Sequence, residues 1–281
     1  MTDGGLSPLP PTRRRTREEL RALLLDAGVQ VLRDEGLGTG AEQLTFKRVF
    51  ERVAADTGIR VTNASVIGRI WQNQAEFQSA VLASVAVDEV TDQEDAVLAA
   101  TAVVLATADR STLEGRRAAL RELLRVAAEA NLATGATSRS WAVAIGVWAL
   151  ASGSRGSEVD EEIYPALLNS YAGIDERAQA VTRGIMEFLG LRLRAPLRVD
   201  QFTQVCTALV EGCALRDRAD AGIRGIERAT GPGGAVQEWT VLGIGMEALV
   251  DEFFEFDPHW SSEPASGAVA EVRTEPRRAH P

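Results

Sequence analysis

From Thr16 to Phe256 the apolar residues recur almost everywhere at three- and four-residue spacing. No stretch shows the strict two-residue alternation of a half-buried strand. A chain patterned this way must bury helical stripes against one another, so an all-α fold is predicted. Glycines and capping residues divide the pattern. A first helix is expected from about Thr16 to Glu35, with Leu20, Leu23, Leu24, Ala27 and Val31 on one face and Gly36 as its stop. Thr45 caps a second through about Asp56, carrying Phe46, Val49, Phe50 and Val53, and Gly58 breaks it. A short third helix is expected over about Asn63–Trp71. Asn73 and Glu76 form a capping box that opens a longer helix, and Ser111 and Glu114 suggest another. Further helices are predicted over about 92–108, 112–133, 138–152, 158–192, 200–218 and 236–256. The stretch Gly231-Pro-Gly-Gly234 reads as a loop between helices, because no Lys-Ser/Thr and no strand-to-helix junction make it a phosphate cradle.

The formal charge of the 281 residues is −10, which opposes binding to phosphate backbones if it is evenly spread. It is not. Up to Gln72 there are eleven Lys and Arg against nine Asp and Glu, a net of +2, and the remaining nineteen against thirty-one leave −12. A basic head on an acidic body is the kind of asymmetry a nucleic-acid face produces, and a solvated arginine arm would produce it too. Two Cys argue against a disulfide framework and against a Cys/His zinc site. His259 and His280 both fall in the Pro- and Ser-containing stretch after Phe256, which leaves no His for a triad or metal site in the folded body. The run Asp160-Glu161-Glu162 suits the first turn of a helix. An enzyme is therefore not expected, nor a cofactor. The longest apolar stretches, such as Trp141–Ser152, are too short to span a membrane. Arg13-Arg14-Arg15 is followed by Glu18, Glu19, Arg21 and Asp26 rather than an apolar run, so no export signal is read and the cytoplasm is the expected compartment.

Three short helices before residue 72, the last two joined at Gly58, suggest a helix-turn-helix. In that arrangement the second paired helix offers its N-terminal residues to base edges. Asn63, Ser65 and Arg69 are the candidates here, Asn suiting adenine and Arg guanine. Val66, Ile67 and Ile70 would pack inward. Arg13, Arg14, Arg15 and Arg17, with Thr45, Arg60 and Thr62, complete the expected DNA-facing set. Three core-packing helices with no ligand give the same pattern.

These residues resemble the TetR family of transcription regulators, well over about 16–85 and more loosely over 200–256. Leu24–Gly36 is similar to the family's first helix. Val53-Ala54-Ala-Asp-Thr-Gly58-Ile59 is similar to its Ile-Ala-x-x-Ala-Gly-Val turn. Ala64-Ser65-Val66-Ile67-Gly68-Arg69-Ile70 sits where the family has Gly-Thr-Leu-Tyr-x-His-Phe, and Asn73-Gln74-Ala-Glu-Phe77 where it has Ser-Lys-Glu-x-Leu. Leu209–Arg216 looks like the penultimate helix, which is a dimer interface in the family. The chain departs from the pattern at Ile67 for Tyr, Arg69 for His, Gln74 for Lys and Val49 for the phosphate-binding Thr, and its turn is two residues longer around Val61-Thr62. Three backbone contacts are thereby missing, and Arg48, Arg52 and Arg60 are the residues that could replace them.

In the body, Phe202, Cys206, Leu209 and Cys213 form one helical stripe, and Leu242, Met246, Leu249 and Phe253 another. The resemblance implies that they meet the same helices of a second copy. Periodicity alone fits an intrachain core equally. Cys206 and Cys213 read as buried, unreactive thiols. Trp141 and Trp148, seven residues apart, and Tyr164 and Tyr171 suit either a largely apolar ligand pocket or a core; Trp141, Trp148 and Tyr171 are the candidate ligand residues, and Arg139 and Arg183 candidate anchors for an anion.

The expected organisation is a disordered lead over 1–12, a helix-turn-helix domain over 13–72, a helical ligand-binding and dimerisation domain over 73–256, and a disordered tail over 257–281. The expected function is a homodimeric, ligand-released DNA-binding regulator, acting as a repressor on a palindromic operator, with a small apolar ligand and no membrane partner. The alternative is a TetR-like dimeric ligand- or protein-binding module with weak or lost DNA binding.

Overall fold

The computed structural model describes residues 15–37, 43–88, 91–153 and 158–261. Among them ten helices carry the fold, and the only strands are four three-residue ones in two antiparallel pairs. The helices are α1 (Arg17–Glu35), α2 (Phe46–Thr57), α3 (Asn63–Val66), α4 (Gln74–Asp88), α5 (Thr91–Thr107), α6 (Leu113–Thr137), α7 (Arg139–Gly153), α8 (Glu158–Leu189), α9 (Val199–Arg218) and α10 (Val241–Phe253). The strands are β1 (Leu191–Leu193), β2 (Ile226–Arg228), β3 (Gln237–Trp239) and β4 (Phe254–Phe256). The chain divides into two compact units, one of residues 1–85 with 145–164 and one of 86–144 with 165–281. The expected head ended at residue 72, whereas the first unit takes in most of α4.

In the first unit, Leu24 and Leu32 of α1, Leu44, Val49 and Val53 of α2, Val66, and Phe77 of α4 are sealed from solvent. Phe77 is the hub, with ring centroids 4.9 Å from both Phe46 and Trp71. Gly28 lets α1 and α4 approach closely, since a Cβ there would sit 2.7 Å from Val81. Thr16 caps α1 with a full capping box to Glu19. Asn73 accepts from the Glu76 amide at 2.9 Å, but the Glu76 carboxylate returns to the Gln72 amide at 2.5 Å rather than to that of Asn73.

The predicted third helix is cut short. It spans four residues, and Ile67 already has extended backbone. Gly68 follows at φ 72°, donates its N–H to the Trp71 carbonyl at 2.8 Å, and turns the chain away from the helix. Two β-branched residues followed by glycine make a weak helix and a ready turn.

In the second unit α6, α9 and α10 pack on one another. One apolar cluster gathers Leu120, Leu124, Leu189, Phe202, Val250 and Phe253, and a second gathers Ala128, Leu132, Cys213, Ala214 and Leu242. Thr112, not Ser111, caps α6, accepting from the Gly115 amide at 2.9 Å; Ser111 bonds Asp109 instead. The strands correct the helices expected through 192 and over 236–256. β1 pairs with β4 in the register Leu191 to Phe256. β2 pairs with β3, so the stretch Gly231–Gly234 turns a hairpin rather than joining helices. Three residues of alternation are too few to stand out against a helical period. Trp239 anchors the hairpin, its indole N–H donating to Thr230 at 2.7 Å. Residues 257–260 also differ from the expected tail. The Asp257 amide donates to the Gly190 carbonyl at 2.8 Å, and the Trp260 indole to that of Glu187 at 3.1 Å.

Candidate nucleic-acid interface

The expected DNA-facing residues divide by what already holds them. Arg13 and Arg14 lie outside the described residues. Arg15 and Arg17 are exposed at the start of α1. Thr45 is the N-cap of α2, its hydroxyl accepting from the Arg48 amide at 3.4 Å. The Ser65 hydroxyl is also taken, donating to the Thr62 carbonyl at 2.6 Å and accepting from its amide at 3.3 Å. A hydroxyl used this way makes a poorer probe of a base edge.

The two arginines of α2 are neutralised. Arg48 pairs with Glu35 at the end of α1. Arg52 donates to Asp34 at 2.5 Å and to Asp56 at 2.6 Å. Hydrogen bonds to Asp34 and then Asp56 raise the Arg52 pKa, so its charge is permanent but compensated. As compensating residues for the missing phosphate contacts, Arg48 and Arg52 are therefore weak. Arg60 and Arg69 are exposed and have no ion pair with a described residue, and the Asn63 side chain is likewise without a described hydrogen bond. These three flank or open α3, whose inner side is fixed by Val66, Ile70 and Trp71, all buried. Ile67, expected to pack inward, is instead 43% exposed, because the turn at Gly68 rotates it outward.

The candidate ligand residues are not gathered. Trp141 lies against the second apolar cluster of its unit, beside Leu209, Val210 and Met246. Trp148 is half-buried and belongs to the first unit. Tyr171 of α8 donates its phenolic hydrogen to Glu211 of α9. Burial first, then the bond to Glu211, raises the tyrosine pKa, and burial raises that of Glu211. None of the three lines the cavity of about 710 Å³ in the second unit. Arg183 is exposed and bonded to Gln179 at 2.9 Å. The side chains of Arg139 and Tyr164 lie outside the described residues.

The candidate interface stripes are partly consumed by their own chain. Phe202, Cys213, Leu242 and Phe253 are buried within the protomer, so they are withdrawn from any surface a second copy could touch. Cys206, Leu209, Met246 and Leu249 remain partly exposed along α9 and α10. Desolvation pushes the Cys206 thiol up to about 12 and raises that of Cys213, which leaves both as thiols near neutral pH. Among the described residues no group of three His, Cys, Asp or Glu could hold a metal ion, and no helix is long and apolar enough to cross a membrane.

No family model matches the chain, and no curated protein matches it.

Proposed function

We propose that the chain is a TetR-like DNA-binding transcription regulator, active as a homodimer and released from its operator by a small molecule. The observation that carries this reading is the distribution of charge in the first unit. Arg48 and Arg52 are spent on carboxylates, while Arg60 and Arg69 stand exposed around a segment that opens with Asn63, itself exposed. Guanidiniums and an amide in that arrangement suit phosphates and base edges. A ligand shifts such a protein only by its differential affinity for the two states, and operator must change ligand affinity by the same factor.

Fluorescence anisotropy with duplex DNA from upstream of the protein's own gene, titrated over a range of salt, tests the reading. Affinity is expected to fall steeply as salt rises. Binding that is flat across salt, or absent at low salt, removes it. Arg69→Ala is expected to change operator preference, and an unchanged preference removes Arg69 from the interface. The second reading is a dimeric ligand- or protein-binding module without DNA binding. The pairing of Arg48 and Arg52 and the four-residue length of α3 favour it.

A further inference from the structure

The second unit contains a cavity of about 710 Å³ between α6, α10 and the β1–β4 ribbon, within the range of about 300–1,000 Å³ usual for small-molecule sites. Leu120, Leu124, Val250 and Phe254 give it a buried apolar wall, and Leu113 is a half-exposed aliphatic at its edge. Its chemistry is set by Arg116. That side chain is only 6% exposed. Its guanidinium donates to the Leu189 carbonyl at 3.1 Å and lies 4.7 Å from the Trp260 ring and 5.4 Å from that of Phe256. Gly190 makes the room: a Cβ there would stand 2.6 Å from the Arg116 Nη1 and 2.3 Å from Trp260.

No carboxylate among the described residues pairs with Arg116. A buried cation is ordinarily paired, because desolvation penalises an uncompensated charge. The C-terminal carbonyls of α8 supply only about half a negative charge. Arg117 follows it, exposed, with its guanidinium 5.8 Å from Phe256 and no ion pair with a described residue. Both arginines sit in the opening turns of α6, where the helix already presents positive charge.

Two of the carboxylates that line the cavity are already held by other arginines. Glu247 serves both Arg121 and Arg228, and Glu255 serves both Arg192 and Arg194. With Asp251 and Asp257, the lining carries four carboxylates against four guanidiniums, Arg116, Arg117, Arg121 and Arg194, and what sets Arg116 apart among them is its burial.

We propose that the cavity binds a small amphipathic monocarboxylate, with its carboxylate on Arg116 and Arg117 and its apolar body against Leu120, Val250 and Phe254. The site stands whether or not the chain binds DNA.

Calorimetric titration of the full chain with 4-phenylbutyrate tests it, against the uncharged 4-phenylbutanamide and the cationic 4-phenylbutylamine. The acid is expected to bind, the amide about tenfold more weakly or worse, and the amine not at all. Arg116→Met removes the anchor but could disturb packing. Arg117→Gln, at an exposed position, is the variant that keeps the test open, with an expected loss of about tenfold for the acid and little change for the amide. Leu113→Asp is expected to weaken both. No binding of the acid up to about 1 mM, equal binding of acid and amide, or an acid affinity unchanged in Arg117→Gln overturns the proposal.

Discussion

The two units use arginine in opposite ways. In the first, Arg48 and Arg52 lie on the surface with carboxylates beside them, and Arg60 and Arg69 lie on the surface with none among the described residues. In the second, Arg116 goes inside, under two aromatic rings and against the end of α8, with no carboxylate partner among the described residues. The first arrangement holds a modest net charge where solvent and salt screen it. The second holds one charge where screening is poor and a matching anion gains most. Where the charge is compensated, more than how many arginines there are, decides which unit can recognise an anion and of what kind.

The comparison breaks first on packing. Phe77→Ala is expected to lower the stability of the first unit by about 3–5 kcal/mol, since that ring is fully buried between Phe46 and Trp71. Urea unfolding followed by tryptophan fluorescence reads it, and a loss below about 1 kcal/mol would remove Phe77 from the centre of that core. Next comes the contrast between arginines. Arg116→Met should cost about 1.5–3 kcal/mol, the range for a buried hydrogen bond from a charged group. Arg48→Gln should cost about 0–1 kcal/mol, as exposed pairs do. Equal losses in the same unfolding experiment would erase the distinction drawn between the units.

The DNA reading sharpens the same contrast within the first unit. Arg60→Ala is expected to reduce the salt slope of binding by about 0.9 for its lost phosphate contact, and Arg69→Ala to relax operator preference instead. Arg48→Gln is expected to leave the slope unchanged. A slope indifferent to Arg60→Ala would place the phosphate contact elsewhere.

The smallest effects are on pH dependence, and they have opposite signs within the second unit. Arg224 holds the Asp217 carboxyl below its usual range through paired hydrogen bonds. Its stabilisation is complete above the unfolded pKa of about 3.9 and is lost as pH falls through the lowered folded value. Burial raises the Glu211 pKa, so the unit gains stability as pH falls through that raised value towards the unfolded one near 4.3. Urea midpoints measured between about pH 7 and 3 should therefore lose their acid-side fall in Asp217→Asn and their acid-side rise in Glu211→Gln. Identical curves for the two variants would contradict the opposite directions.

The helical architecture was legible because glycines and caps sit at real boundaries. Gly36, Gly58 and Thr45 end or start helices where the spacing predicts. The short third helix was not legible, although its signal is present. Val66-Ile67-Gly68 continues the apolar period, so the period hid the turn that the glycine makes. The strands escaped for a different reason, since a pairing partner far along the chain makes a strand of Phe254–Phe256, and their own pattern does not. The stripes of α9 and α10 were correctly apolar, but periodicity names a buried face without naming what buries it. Phe202, Cys213, Leu242 and Phe253 turned out to lie under their own chain. The cavity was missed because nothing in the local pattern of Arg116-Arg117 marks which arginine goes inside, and Trp260 lies in the stretch after Phe256 that reads as tail.

The β1–β4 ribbon sets a schedule. Arg192 finds its partner Glu255 only sixty-three residues later. During synthesis, α6 and α8 emerge well before the strand that closes the ribbon, and Arg116 waits with them for Phe256 and Trp260. The second unit thus cannot finish folding until its last strand has left the ribosome. A chain interrupted near the end of α10 would display that unfinished surface to chaperones and proteases.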